Sequence, residues 1–456
     1  MKHSFNRRQF LGTAAAAGFG YSVFAPSRAR AASPNGKLRV LSIGVIGTIG
    51  GTDRHQVAAH PNAEIAGLCD VDANSLAQAA KEHPGAFTCR DYREAFAKHG
   101  DKFDAVIVSV PDHSHAPILL TALAHNKHVY GQKPLVHQLA EVAMVERAIA
   151  AKPHLVTQLG NQRMASNGRR AAVEILRQGM LGKAIKAYAW TGAPGPDNYF
   201  NYGKVFKENP NIPANLDWDL WLGPCAKMPY YDLLVPCKWR SWWDFGTNGL
   251  GDWGCHVLDV FFFAYDELKS PVSVKTDCPA PADKNFHVNP CKSTLKFKVG
   301  TERFANPEFL MYYNDSKQIP SAEELGVPTQ PGDGIMSAVV CEGGSLLFQA
   351  EGQVQVWRDG KLTNGLKMPG LPDFPPLNHW HAWVDNCHGK KTELRTPFKD
   401  AARITESTLL AVKATRFPGQ ELLWDKAKLA FTNNEEATRT IVSRQYRDGF
   451  GPPVVG

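Results

Sequence analysis

From residue 37 onward the chain alternates short apolar runs with stretches of helical spacing. Runs at residues 38–46, 64–69, 105–110, 128–130 and 155–162 are separated by helical patterns at 75–81, 116–125 and 139–151. Runs that are apolar throughout mark strands covered by helices on both faces, so residues 37–163 predict an α/β domain on a parallel sheet. The pattern changes near residue 183. Alternating runs at 184–190, 272–276, 293–299, 309–313 and 345–349 follow one another with few helices between them, which predicts a mostly antiparallel, open sheet. Helical stretches at 169–178, 378–386 and 400–415 complete an α+β domain over residues 164–456; the last two carry Trp380, Trp383 and several alanines suited to core packing.

In an open parallel sheet, ligands bind beyond the carboxyl ends of the strands. The first run ends in Gly47-Thr48-Ile49-Gly50-Gly51. A dinucleotide-binding turn uses Gly-x-Gly-x-x-Gly, so that the backbone turns tightly and a pyrophosphate can approach a helix N-terminus. This chain keeps Gly47 but has Ile49 and Thr52 at the other two positions. Gly50 and Gly51 supply either a shifted version of that turn or an ordinary glycine turn. Asp70 ends the second run, 23 residues after Gly47. That spacing suits an acid accepting ribose hydroxyls, and an acid there repels a 2′-phosphate, favouring NAD over NADP. The competing reading is a helix cap, which Asp72 or Asn74 supplies equally well. Lys133 follows the run 128–130 directly, in Tyr130-Gly131-Gln132-Lys133-Pro134-Leu135, so it is either a residue of the ligand crevice or a surface lysine in a strand-to-helix turn.

A second informative stretch is Trp239-Arg240-Ser241-Trp242-Trp243-Asp244-Phe245-Gly246 through Asp252-Trp253-Gly254-Cys255-His256. Residues 257–265 are apolar and predict a buried helix entered by a glycine-rich loop. If the helix begins near Asp252, then Asp252 and His256 share one face, a turn apart. They form either an acid–histidine pair facing a substrate or an N-cap aspartate and a core histidine. Six of the eleven tryptophans fall between Trp218 and Trp253, a density that suits the apolar faces of a sugar. Trp218 and Trp221 read as core or subunit contact; Trp239, Trp242, Trp243 and Arg240 are the better candidates for touching substrate. No third ligand accompanies Asp252 and His256 at metal-site spacing, so no metal is expected.

The 456 residues, 43% hydrophobic and 21% charged, are too many for one small core. The net charge of +7 overstates the basicity of the folded part. Lys2, Arg7, Arg8, Arg28 and Arg30 all lie in residues 1–32, which hold no acid, and the near-neutral remainder argues against nucleic acid or an anionic membrane as partner. Arg7-Arg8, the small apolar run 12–25 and Ala29-Arg30-Ala31 predict a twin-arginine export signal over residues 1–32, cleaved near Ala31 or Ala32. The run is shorter than the roughly 20 residues of a membrane anchor. A periplasmic mature protein is expected, and because that route carries folded cargo, a cofactor could travel inside. Nine cysteines without a Cys-x-x-Cys pair argue against a zinc ribbon or disulfide framework, although Cys225 and Cys237 are close enough in sequence to be bridged.

The stretch VIVSVPDHSHAPILLTALAHNKHVYGQKPL, residues 106–135, closely resembles the Gfo/Idh/MocA family of oxidoreductases. Members carry Glu-Lys-Pro where this chain has Gln132-Lys133-Pro134, so the lysine and proline match and the preceding residue departs. The resemblance extends from about Lys37 to the C-terminus. It implies a Rossmann dinucleotide-binding domain followed by an α+β domain whose open sheet covers the nicotinamide and mediates pairing into a homodimer or tetramer. It also implies a catalytic set of Lys133, Asp252 and His256. His256 would be the base, Lys133 would bond the reacting oxygen, and Asp252 would orient the sugar or the histidine. Cofactor contacts are expected at Gly47, Thr48, Ile49, Gly50 and Asp70, with Ser109, Pro111, His115, Lys133 and Gln162 on the nicotinamide side, and substrate contacts at Lys133, Trp239, Arg240, Trp243, Asp252 and His256. The expected activity is periplasmic, NAD-dependent oxidoreduction at a hydroxyl carbon of a sugar, glycoside or polyol, with the nicotinamide tightly held. An NAD-dependent glycoside hydrolase working by transient oxidation and elimination is the alternative, and a non-catalytic sugar-binding protein the third reading.

Overall fold

A computed structural model of the protein describes residues 36–191, 206–282, 285–316, 318–349 and 352–455. The export signal and its cleavage site, expected in residues 1–32, lie outside the described residues. Six parallel strands form the first sheet: β1 (Leu38–Ile43), β2 (Ala63–Cys69), β3 (Phe87–Cys89), β4 (Ala105–Val108), β5 (His128–Gly131) and β6 (Thr157–Leu159), in the order β3-β2-β1-β4-β5-β6. This is the doubly wound order in which the ligand crevice opens at the ends of β1 and β4, where the strand order reverses. The strands are apolar throughout because both faces are covered; every residue of β4 is buried.

The chain then enters a ten-stranded sheet of order β14-β13-β12-β11-β7-β10-β9-β8-β15-β16. β7 (Ala184–Trp190) and β10 (Glu308–Asn314) run parallel; every other pair is antiparallel. Its remaining strands are β8 (Ser273–Asp277), β9 (Lys292–Lys298), β11 (Ile335–Cys341), β12 (Gly344–Gln349), β13 (Val354–Arg358), β14 (Lys361–Asn364), β15 (Glu421–Asp425) and β16 (Ala430–Phe431). One face packs on the long helix Asn248–Ala264, which in turn packs on the helices Asn167–Arg177 and Phe398–Lys413. The helix His379–Cys387 follows the second sheet in sequence but packs back on the first, where Trp383 and Val384 join Val40, Ile65 and Tyr130 in one buried cluster.

Of the predicted boundaries that the structure moves, two shape the site. The first strand stops at Ile43 instead of running to residue 46, because Gly44 takes a positive φ of 79°. A Cβ on Gly44 would lie 2.2 Å from the Ser109 carbonyl oxygen at the end of β4. Only glycine lets the two strand ends approach this closely. Likewise the long helix begins at Asn248, inside the stretch read as a loop. The nine cysteines are all free thiols, and Cys225 donates to the Asp244 carbonyl instead of bridging to Cys237.

Gly44→Ala is therefore expected to lower stability by about 1–3 kcal/mol from backbone strain alone, with the clash against Ser109 added. Urea denaturation of the variant measures it, and an unchanged midpoint would contradict the close approach.

Candidate functional site

Beyond the carboxyl ends of β1, β2 and β4 lies a cavity of about 580 Å³, lined by Gly44, Gly47, Thr48, Asp70, Ser109 and Pro111 among others. Its first wall is the glycine turn. Gly47 has φ of 51° and open space where a Cβ would project. The following helix, Gly50–Ala58, has Ile49 at its N-cap with no side-chain cap bond. Its leading N–H groups carry no side-chain cap, and the Gly51 N–H donates to the Ile46 carbonyl at 2.9 Å. Gly50 serves the turn differently: its Cβ would lie 2.2 Å from the Gly44 carbonyl oxygen, so it allows the helix to seat against the strand end. The spacing in use is Gly44-x-x-Gly47-x-x-Gly50. Gly51 meets nothing nearer than 3.9 Å.

Asp70 stands in the cavity at the end of β2, its two carboxylate oxygens accepting the backbone N–H of Val45 and of Asp72, each at 2.9 Å. Each oxygen retains a second lone pair. Burial, opposed by these hydrogen bonds, raises its pKa above the ordinary carboxylate value. The capping role falls to Asp72, which accepts from the N–H groups of Asn74 and Ser75. Of the two roles that the sequence leaves open, the capping one thus belongs to Asp72, and a glycine turn followed by an acid at the end of the second strand fits a dinucleotide.

Gln132, where the family has glutamate, has a local explanation. Its Nε2 donates to Asp53 Oδ2 at 2.8 Å in the protein interior. Ser109 Oγ donates to the same oxygen at 2.7 Å and Trp380 Nε1 to the other at 2.8 Å. Asp53 is fully buried, and burial pushes its pKa up to about 6 despite these three donors. A glutamate at 132 would set two carboxylates face to face where the amide now donates.

Lys133 leaves the end of β5 and crosses to the second domain. Its ammonium donates to the Asp252 backbone carbonyl at 2.9 Å and to Asp252 Oδ1 at 2.7 Å. Arg240 Nε donates to the same Oδ1 at 3.2 Å. Burial works against ionising Asp252, but the Lys133 and Arg240 charges prevail and hold it well below the usual carboxylate range. One turn along the helix, His256 is held by a different partner. Its Nδ1 faces Asn161 Oδ1 at 2.8 Å. The Asn161 amide nitrogen donates to the Cys255 carbonyl and to Asp259 Oδ2, both at 2.8 Å. The amide orientation is thereby set, so the histidine must carry its proton on Nδ1 and keep the Nε2 lone pair free to act as a base. Asp259 is itself locked in a buried ion pair with Arg169, which also donates to the His256 carbonyl. Burial, and then the Lys133 and Arg163 charges, depress the His256 pKa well below its ordinary value, so the ring is neutral.

The structure brings together Gly47, Thr48, Asp70, Ser109 and Pro111 around the cavity, and Lys133, Arg240, Asp252 and His256 around the domain junction. Ile49 and Gly50 support the turn without lining the cavity. His115 is turned away: its ring nitrogens lie against the Pro134 and Val110 carbonyls, at 2.6 and 2.8 Å, bracing the lysine turn. Gln162 is not among the cavity residues; its neighbour Asn161 is the one engaged with the histidine. Trp243 is buried against His287, Arg416 and Lys413 in the core, and its backbone N–H donates to the Asn285 carbonyl. Trp242 is likewise buried, between Phe206 and Phe286. Trp239 is buried beneath the Arg240 guanidinium. The tryptophan beside the histidine is Trp253, half-buried, edge-on to the His256 ring and under Arg163. Trp221, read from sequence as core, is buried but also lines the cavity. Among the described residues, no group of three or more His, Cys, Asp or Glu side chains is placed to hold a metal ion.

Residues 38–159 match the model of the Gfo/Idh/MocA oxidoreductase family for its NAD-binding Rossmann fold, and residues 169–302 match the model for its C-terminal alpha/beta domain. Together these spans exceed half of the chain. The inositol 2-dehydrogenase of Gluconacetobacter diazotrophicus is 31% identical over 153 residues, 33% of this chain and 45% of that protein. The inositol 2-dehydrogenase of Rubrobacter xylanophilus is 27% identical over 153 residues, 33% of this chain and 43% of that protein. The match thus spans less than half the length of these curated relatives. Among solved structures, the aldose-aldose oxidoreductase from Caulobacter crescentus complexed with glycerol aligns with a TM-score of 0.57 at 15% identity, over 85% of this chain and 100% of the other. Levoglucosan dehydrogenase, in complex with NADH and levoglucosan, aligns with a TM-score of 0.56 at 15% identity, over 85% and 99%. At such identities the structural likeness establishes the fold alone.

Gln132→Glu is expected to raise the pKa of the buried acid pair above the value of about 6 that Asp53 has now. A folded-state pKa above the unfolded one gives stability that is present at low pH and lost as pH rises through the folded value. The variant's melting temperature, relative to the parent, should therefore fall as pH is raised from 5 to 8. An equal difference at both ends would contradict the contact.

Proposed function

This chain belongs to the Gfo/Idh/MocA oxidoreductase family, and on that premise we propose that it is an NAD-dependent oxidoreductase acting on a secondary hydroxyl of a sugar, glycoside or polyol. The observation that carries the reading is the meeting of Lys133, from the end of β5, with Asp252 on the helix that also carries His256, one strand over from the dinucleotide cavity. Gly44, Gly47, Thr48, Asp70, Ser109 and Pro111 would hold the cofactor. Bound there, NAD supplies the two-electron acceptor.

The chain's own residues do the proton chemistry. An ammonium has three donors, and two of Lys133's are engaged by Asp252. The third is available to a substrate oxygen and favours its alkoxide character. His256 takes the hydroxyl proton at Nε2, since Nδ1 is committed to Asn161. Asp252 keeps Lys133 in place instead of orienting the histidine. Trp253, beside His256, offers an aromatic surface to the C–H face of a sugar ring. The mature protein acts in the periplasm after twin-arginine export and cleavage near Ala31 or Ala32, and it assembles as a homo-oligomer through the open sheet; the N-terminal motif and the family's architecture support these two points.

Lys133→Met and His256→Ala are each expected to lower kcat by ~10²–10⁴ on a reactive polyol or glycoside. In the parent protein the acid limb of kcat/KM should lie below pH 6.5, the ordinary histidine value, because His256 must be unprotonated and its pKa is depressed. Full turnover in either variant, or an acid limb above pH 6.5, would overturn the assignment. Glycoside cleavage without net NADH would instead select the hydrolase reading.

Expression of the full chain should yield a processed protein in the periplasm, and the Arg7→Lys/Arg8→Lys double variant should remain in the cytoplasm as precursor. Processing and export that survive the double substitution would remove the twin-arginine assignment.

A further inference from the structure

The dinucleotide cavity is roofed by two segments that do not belong to the Rossmann domain. Leu216, Leu220, Trp221 and Gly223 line it from one side, and Phe450, close to the C-terminus, lines it together with Asp70, Arg90 and Tyr92. These last three sit at the ends of β2 and β3, the side on which the acid of a dinucleotide fold takes the ribose of adenosine.

Both segments are fastened to their surroundings. Residues 215–217 are sewn to the end of β2: Asp217 N–H donates to the Val71 carbonyl at 3.0 Å, Ala73 N–H to the Asn215 carbonyl at 2.9 Å, and Asn215 Nδ2 to Asp72 Oδ2 at 2.5 Å. The C-terminal segment is anchored at both ends of a short span. Arg444 and Tyr446 each bond the fully buried Glu141, at 2.9 Å in both cases. Arg447 bonds the Gly223 carbonyl at 2.9 Å, and the Asp219 carboxylate and carbonyl at 2.6 Å each, while its own N–H reaches the Pro224 carbonyl at 3.0 Å. The C-terminal segment is thereby tied to the first roof segment. Phe450 itself is held between two guanidinium groups, Arg93 at 3.8 Å and Arg447 at 4.1 Å from the ring centre, and Arg93 also donates to the Gly449 carbonyl.

We propose that residues 444–450 and 216–224 form a clamp over the adenosine end of the cofactor cleft, so that the nucleotide is a resident group released only when this clamp opens. The proposal rests on the reading of the cavity as the NAD site and goes beyond it by assigning the retention to Phe450 and Arg447. An open Rossmann cleft lets the adenosine end leave without moving protein. Here, departure requires Phe450 to swing out, and with it the hydrogen bonds that Arg447 makes to Asp219, Gly223 and Pro224. Several such bonds, three of them from the Arg447 guanidinium and so charge-assisted, favour slow exchange over weak binding.

The test is a displacement measurement on the mature protein. The protein is saturated with NADH, passed through gel filtration and chased with excess NAD while nicotinamide fluorescence is followed. The parent should carry its NADH through the column and lose it slowly. Phe450→Ala and Arg447→Met should each release it about tenfold faster or more, the kinetic equivalent of one aromatic contact, with melting temperatures of the unliganded proteins showing that they fold. Phe450→Leu, which keeps apolar volume, stands in if the alanine variant does not fold. Loss of NADH from the parent on the column, or release from the variants at the parent's rate, overturns the clamp. A parent that carries no nucleotide as purified and takes up no NADH when it is supplied overturns the nucleotide assignment beneath it. NADH retained by a protein whose bound NAD+, in a separately oxidised sample, no sugar or polyol reduces leaves the clamp standing and removes only the oxidoreductase reading.

Discussion

One hydrogen-bonded ion pair joins the two halves of this molecule at the place where chemistry is expected. Lys133 stands at the end of a Rossmann strand, and Asp252 on a helix that packs the second sheet. Both side chains are largely buried, so neither charge is solvated as it would be in water; removing Asp252 would strand the ammonium at a cost of about 3–5 kcal/mol, whereas removing Lys133 leaves Asp252 its Arg240 partner. The pair is better understood as a positioning device than as a source of stability. It fixes the ammonium at the domain junction, and with Arg240 it keeps the aspartate ionised against its burial.

The histidine obeys the opposite electrostatics. Lys133 and Arg163 disfavour a proton on His256, and burial does so more strongly. A neutral base with a defined tautomer results, held by Asn161, which is held in turn by the buried Asp259–Arg169 pair. The acid and the histidine one turn apart are therefore not a relay. They make no hydrogen bond to each other and are held by different partners, although the Lys133 charge acts on both. Close packing makes this possible: a Cβ on Gly254 would lie 2.5 Å from Thr408 of the neighbouring helix.

Much of this was legible along the chain and some of it was not, for physical reasons. Buried parallel strands announce themselves as apolar runs, so β1, β2, β4 and β5 were visible; β14, all of whose residues are exposed, carried no such signal. The opening of the helix at Asn248 was hidden by Gly249, Gly251 and Gly254, residues that normally break helices; Gly251 and Gly254 here permit close approach to Thr247 and Thr408. The glycine turn looked irregular because it departs from the Gly-x-Gly-x-x-Gly fingerprint; the glycines the backbone uses are Gly44 and Gly47, both at positive φ, and Gly50, which seats the helix against the strand end. Asn161 and Phe450 belong to the site only through tertiary structure, and nothing in their neighbours marks them. The tryptophan density was seen, but which rings face the site depends on how the loop after Trp239 is buried, and that selects Trp253 over Trp242 and Trp243.

The most direct measurement is a single-turnover experiment on the purified mature protein. The bound nucleotide is identified by mass spectrometry after denaturation, and the nicotinamide absorbance of the native protein is followed as inositols, aldoses and simple glycosides are added. Bound NAD that becomes reduced in the parent, and stays oxidised in His256→Ala, is the expected result. A protein that contains no nucleotide and takes none up when it is supplied would contradict the assignment of the cleft and, with it, the role of Lys133 and His256.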